Sequence, residues 1–148
     1  MDYDIEIVQM KPVVIAAVRS QFNAETLGEA IIASLDTVYA FLATAAIEQR
    51  GLNVAVYLDS GDIEVGVQVS ARFEPAGNVR CSTTPAGKAA HVIHHGAYAL
   101  LSQAHDTARQ WCAVNGIELT GTNWEVYGHW HDDPQKLRTD VFYLLTDS

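Results

Sequence analysis

Glu125 and Tyr127 set a carboxylate and a phenol two positions apart, the pairing in this chain best suited to chemistry. They lie in Trp124-Glu125-Val126-Tyr127-Gly128-His129-Trp130-His131-Asp132-Asp133-Pro134, which reads as a strand running into a turn. Side chains alternate faces along a strand, so Trp124, Val126 and Trp130 would share one face and Glu125, Tyr127 and His129 the other. A carboxylate among rings loses hydration, which strengthens its attraction for a cation. The same surroundings suit a general acid or base. The rings add stacking surface and cation–π attraction, on the order of 0.5–2 kcal/mol per contact. The expectation is that Glu125 sits in an aromatic-lined cleft and binds, or acts on, an apolar small molecule.

Other candidates follow from the same reasoning. Tyr127 shares a face with Glu125, and Trp124 and Trp130 could stack on a planar ligand, although buried tryptophans more often anchor a core. Val54-Ala55-Val56-Tyr57 echoes Trp124-Glu125-Val126-Tyr127, which brings Tyr57, and with it Glu64, into the candidate set. The histidines His91, His94, His95, His129 and His131 raise the question of a metal. Zinc needs three or four converging ligands, and no HExxH or CxxC spacing occurs, so no metal is expected and these histidines are read as exposed. Neither Gly-x-Ser-x-Gly nor a phosphate-cradling glycine loop is present, and no cofactor is expected.

The bulk numbers narrow the classes. With 49% hydrophobic and 18% charged residues over 148 positions, the chain can build a sizeable core. A net charge of -9 is the reverse of what a duplex-binding surface requires, and favours cationic partners. Cys81 and Cys112 lack motif spacing and read as reduced thiols of a cytoplasmic protein. Met1-Asp2-Tyr3-Asp4 lacks the positive region of a signal peptide, and no uninterrupted apolar run approaches the roughly 18 residues of a membrane span.

The elements that must position these residues can be taken in order. Ile5 to Gln9 alternates as a half-buried strand, and Val13 to Val18 is an interior strand. Arg19 to Asn23 connects to a helix that starts at Thr26, through a capping box with Glu29 or through Asn23, carries the stripe Leu27, Ile31, Leu35, Val38, Leu42, Ala45, and closes at Arg50-Gly51. Asn53 to Asp59 and Ile63 to Ser70 form a hairpin about Ser60-Gly61-Asp62, with one face dry and Tyr57, Glu64 and Gln68 on the wet one. Glu74 to Asn78 is a loop and Pro85-Ala86-Gly87 a turn. Lys88 to His95 is a strand, and Leu101, Ala104, Ala108 and Trp111 mark a second helix ending at Asn115-Gly116. Val141 to Leu145 is a last strand. The halves, about 1–74 and 78–148, share an element order, so the predicted fold is α+β. Two β-α-β-β units would form one antiparallel sheet, with both helices on one face and a central ligand cleft.

Pro85-Ala86-Gly87 before a strand, His95-Gly96-Ala97-Tyr98 entering a helix with Trp111 near its end, Glu125-Val126-Tyr127, Asp133-Pro134 and a closing strand after Asp140 come in a distinctive order. In this the chain resembles the gyrase-inhibitor-like (GyrI-like) small-molecule-binding domains, also found as effector-binding halves of bacterial multidrug-sensing transcription regulators. The resemblance implies a single duplicated domain whose glutamate, matching Glu125, faces aromatic cations. Stand-alone relatives that it also brings in hydrolyse cyclopropane-bearing natural products with a cleft glutamate and tyrosine. Gly128-His129-Trp130-His131 departs from the family pattern. No helix-turn-helix is expected, since the helices are separated by strands. The function expected is sequestration or sensing of an aromatic, cationic small molecule, without direct nucleic-acid or membrane binding. A hydrolase using Glu125 and Tyr127, and a gyrase-inhibitor-type protein partner, are the alternatives.

Overall fold

The computed structural model describes residues 3–21 and 23–146; Met1 and Asp2 of the opening segment, and Phe22 of the first connection, lie outside them. Among the described residues are eight strands and two long helices. The strands are β1 (Glu6–Met10), β2 (Val14–Gln21), β3 (Gln49–Tyr57), β4 (Asp62–Val69), β5 (Val79–Thr83), β6 (Gly87–His95), β7 (Leu119–Tyr127) and β8 (Arg138–Leu145). The helices are α1 (Leu27–Ala45) and α2 (Leu101–Val114), the latter preceded by a 3-10 turn at Tyr98–Leu100. The class is α+β, with antiparallel pairing. Two compact units are present: Pro12–Pro85, and Met1–Lys11 with Ala86–Ser148.

Each unit has the same internal plan. In Pro12–Pro85 the strand order is β3-β4-β2-β5, with α1 following β2. In the other unit it is β7-β8-β6-β1, with α2 following β6. The duplication extends to register. Ala55 faces Val65 and Tyr57 faces Ile63 on β3 and β4, as Glu125 faces Val141 and Tyr127 faces Thr139 on β7 and β8. Both pairs also break register early, between Gln49 and Asn53 and between Leu119 and Asn123.

The helix of each unit is held by the stripe that its periodicity marks out. On α1, Val38 and Leu42 are buried against Ala16, Val67 and Val69, with Leu35 packed beside them. On α2, Ala104, Ala108 and Cys112 are buried against Ala90, Val92, Val141 and Tyr143. Alanines on the helix face let α2 lie close to its sheet. α1 is long and apolar enough to cross a membrane by length and composition alone. That goes beyond the expectation from uninterrupted apolar runs, because Glu29 and Asp36 interrupt the run without ending the helix.

Several local expectations are corrected. α1 stops at Ala45, with Ala46 left-handed at φ 55°, and Arg50-Gly51 belong to β3. Gly51 is needed there for space, since a Cβ would lie 1.9 Å from Gln68 Oε1, which accepts from the Leu52 amide at 2.9 Å. No side-chain cap comes from Thr26; Asn23 Oδ1 accepts from the Thr26 amide and hydroxyl, both at 3.0 Å. The hairpin is not dry on one face only: Val54, Ala55 and Val56 are buried in succession, as are Ile63 to Val67. β5 was hidden in a stretch between two turns that shows no clear alternation.

Candidate functional site

Glu125 lies near the end of β7 opposite Val141, and directly opposed residues of an antiparallel pair share a face. Val141 packs under α2, so Glu125 and Tyr127 project on the α2 side of the sheet. There Glu125, 5% exposed, accepts the Tyr127 hydroxyl on Oε1 at 2.5 Å and His105 Nε2 on Oε2 at 2.6 Å. The ring of Tyr98, from the 3-10 turn, meets Tyr127 edge-on with centroids 6.0 Å apart.

His105 extends the cluster outward. Its Nδ1 lies 2.5 Å from the Tyr143 hydroxyl, and the two rings are edge-to-face at 5.5 Å. Arg109, one turn along α2, donates Nη1 to the same hydroxyl at 2.8 Å, and its Nη2 pairs with Asp106. Burial pushes the Tyr143 phenol above its ordinary value, and the Arg109 guanidinium draws it partly back. The arrangement is a buried carboxylate held by two ring donors, one of which is tied through a phenol to a half-exposed guanidinium. It can attract a cation or exchange a proton with the Tyr127 hydroxyl.

The other sequence candidates are placed differently. Trp124 is 1% exposed and stacked on Phe142, ring centroids 5.0 Å apart, which makes it a core anchor. Trp130 lies beyond β7 and is 72% exposed, so it shares no strand face with Trp124. β7 ends at Tyr127, and the next residue, Gly128, still gives its amide to Arg138 O of β8 at 2.8 Å. Tyr57 and Glu64, expected on one face, lie on opposite faces, since Glu64 is opposite Val56 while Tyr57 is opposite Ile63. Glu64 is buried, accepts from Ser82 Oγ at 2.7 Å and has Arg80 at 3.7 Å. A groove of about 690 Å³ beside β2 and β5, lined in part by Arg19, Asn78, Arg80 and Cys81, includes neither glutamate.

Two histidines read as exposed are not. His94 is fully buried, bonded to the Tyr3 hydroxyl at 2.8 Å and the Ala97 carbonyl at 3.0 Å. His91 stacks on Phe142 and donates to Asp140 at 2.9 Å. Burial works against ionising Asp140, but hydrogen bonds and charge from His91 and Arg138 overcome it and bring its carboxyl down to about 2. Among the described residues no group of three or more His, Cys, Asp or Glu is placed to hold a metal ion. His105 is not among the apolar residues that mark the α2 stripe in the sequence. It stands four residues after Leu101 and three before Ala108, within that stripe, and a polar ring there was the available signal.

Comparison with known proteins gives the fold a context. No family model matches the chain, and no curated protein matches it significantly. Among solved structures, the EcmrR C-terminal domain superposes with a TM-score of 0.80 at 21% identity, with 100% of each chain covered. EcmrR in a complex with DNA gives 0.84 at 19% identity; the chain covers 58% of that longer protein. SAV2435 bound to tetraphenylphosphonium gives 0.63 at 9% identity over 99% of this chain and 94% of that one. A hydrolase from Listeria innocua gives 0.63 at 11%, over 96% and 91%.

Proposed function

With the fold shared by the EcmrR C-terminal domain as the premise, we propose that this protein binds an apolar, aromatic, cationic small molecule at Glu125, and so sequesters or reports such compounds. The observation that carries the reading is the buried Glu125 carboxylate held among the rings of Tyr127 and His105. A buried anion is costly unless it is satisfied, and a site that keeps one is suited to a cation that sheds its own water on binding. Tetraphenylphosphonium, seen bound in SAV2435, is such a cation and the natural first probe. Calorimetric titration is expected to give saturable one-to-one binding. A flat titration with this and other lipophilic aromatic cations would remove the reading.

A second reading is supported by the 2.5 Å bond between Tyr127 and Glu125, and by the fold shared with a hydrolase. A phenol and a carboxylate in contact can pass a proton, so the pair could activate water toward a strained or electrophilic ring. Incubation with a cyclopropane-bearing alkylating compound tests this by the appearance of a ring-opened product; an unchanged compound after many enzyme equivalents excludes it.

A further inference from the structure

Among the described residues only one buried side-chain polar atom has no hydrogen-bond partner, Thr139 Oγ1. Thr139 is fully buried near the start of β8, opposite His94 on β6 and Tyr127 on β7. Directly opposed residues share a face, so the three side chains form a row on the side of the sheet where Glu125 projects. Neither neighbour serves the hydroxyl. Both His94 ring nitrogens are engaged, one with the Tyr3 hydroxyl at 2.8 Å and one with the Ala97 carbonyl at 3.0 Å. The Tyr127 hydroxyl goes to Glu125 Oε1 at 2.5 Å. Leaving a buried hydroxyl unpaired carries a desolvation penalty. Valine has the same branched shape and strand preference without that penalty, so folding alone gives no reason for an oxygen here.

We propose that Thr139 is a specificity-determining residue of the ligand site at Glu125, its hydroxyl pairing with a hydroxyl or carbonyl oxygen carried on the ligand's aromatic body. This rests on the reading of Glu125 and its rings as a ligand site, and it holds whatever share of its charge Glu125 keeps. Glu125 is opposite Val141, two residues along β8 from Thr139, so Thr139 and Glu125 are diagonal neighbours on one face. Such neighbours lie about 7–8 Å apart, within the span of an aromatic side chain. The ring set against Tyr127 is that of Tyr98, which is 43% exposed, sits on a three-residue 3-10 turn and makes an edge-on contact. A ligand ring that takes the place of Tyr98 beside Tyr127 brings its substituent to Thr139. No protein group has to be displaced from the hydroxyl, so a ligand oxygen gains the whole benefit of satisfying it. A wholly apolar ring leaves the hydroxyl unpaired and gains nothing from it.

Phosphonium ions of equal charge supply the test: tetraphenylphosphonium and its isomers with one ring hydroxyl at the ortho, meta or para position. Titration calorimetry is run on the wild type, Thr139→Val and Thr139→Ser, alongside urea unfolding of each protein without ligand. At least one isomer is expected to bind the wild type about fivefold more tightly than the parent ion, the net effect of one hydrogen bond. In Thr139→Val that preference should fall below about twofold while the parent ion binds as before, and Thr139→Ser should restore it. Without ligand, Thr139→Val should unfold at a higher urea midpoint than the wild type, because an unpaired hydroxyl leaves the core. An equal or lower midpoint would mean that the hydroxyl is already satisfied within the fold, as by an internal water, and overturns the inference. So does a wild type that binds the parent ion and every isomer equally, or Thr139→Val with the preference intact; either result leaves the cation reading of Glu125 standing. If the wild type binds none of these ions, that reading fails and takes the role of Thr139 with it.

Discussion

Replacing Glu125 by Gln removes one charge while keeping shape. In the wild type the carboxylate accepts His105 Nε2 on one oxygen and the Tyr127 hydroxyl on the other. The Gln oxygen can still accept from His105, and its amide can donate to Tyr127 once that hydroxyl turns. The loss of two charge-assisted bonds is offset by no longer burying an anion, so folding stability should move by no more than about 1 kcal/mol. Binding of a monocation is another matter. Unit charges about 4 Å apart at an effective dielectric of about 20 attract by about 4 kcal/mol. His105 and Tyr127 already draw on the carboxylate, so roughly half should be realised, about 2 kcal/mol or about thirtyfold in Kd. Titration calorimetry of tetraphenylphosphonium against triphenylphosphine oxide, which keeps phenyl rings without net charge, isolates this quantity. The cation should weaken by that factor and the neutral compound by less than about twofold. Equal weakening of both, or none for the cation, would refute the charge role of Glu125.

Other perturbations test the frame around the site. Asp140 has its folded pKa lowered to about 2, so its contribution is present above the unfolded value and lost as pH falls through about 2. Asp140→Asn should therefore cost about 1–2 kcal/mol at pH 7, and its gap from the wild type should close between about pH 4 and pH 2 in urea titrations. Trp124→Ala should cost about 3–5 kcal/mol, since the ring is buried against Phe142, whereas the exposed Trp130→Ala should stay within about 0.5 kcal/mol by thermal melting. A Cβ at Gly66 would lie 2.1 Å from the Ala16 carbonyl oxygen, so Gly66→Ala should lose about 2–3 kcal/mol in chemical denaturation. Nothing lies within 4 Å of a Cβ at Gly28 in α1, so Gly28→Ala should stabilise by about 0.5–1 kcal/mol.

Much of the architecture was legible in the chain because it follows from period and punctuation. Val38 and Leu42 recur at helical spacing and are buried, and the run from Val13 to Val18 overlaps a strand paired on both sides. The duplication showed in Val54-Ala55-Val56-Tyr57 against Trp124-Glu125-Val126-Tyr127, and the registers of β3 and β7 match these residues one for one. Faces and ends were less legible. Arg50-Gly51 looked like a helix stop, yet Ala46 takes the left-handed position. Tyr57 and Glu64 looked like neighbours, but register places them on opposite faces, and a slip of one residue reverses every side chain.

The sequence by itself determined an α+β fold of repeated element order, and that a carboxylate and a phenol on one strand, two residues apart, would share a face. Local periodicity encodes both, because they depend on neighbours a few residues away. Only the tertiary structure decided what surrounds that carboxylate. His105 is 20 residues from Glu125, Tyr143 is 38 from His105, and Arg109 is 34 from Tyr143. Partners so far apart are joined by the packing of α2 onto β6 and β8, with β7 paired to β8, and no local pattern specifies which polar ring of a helix will meet which strand.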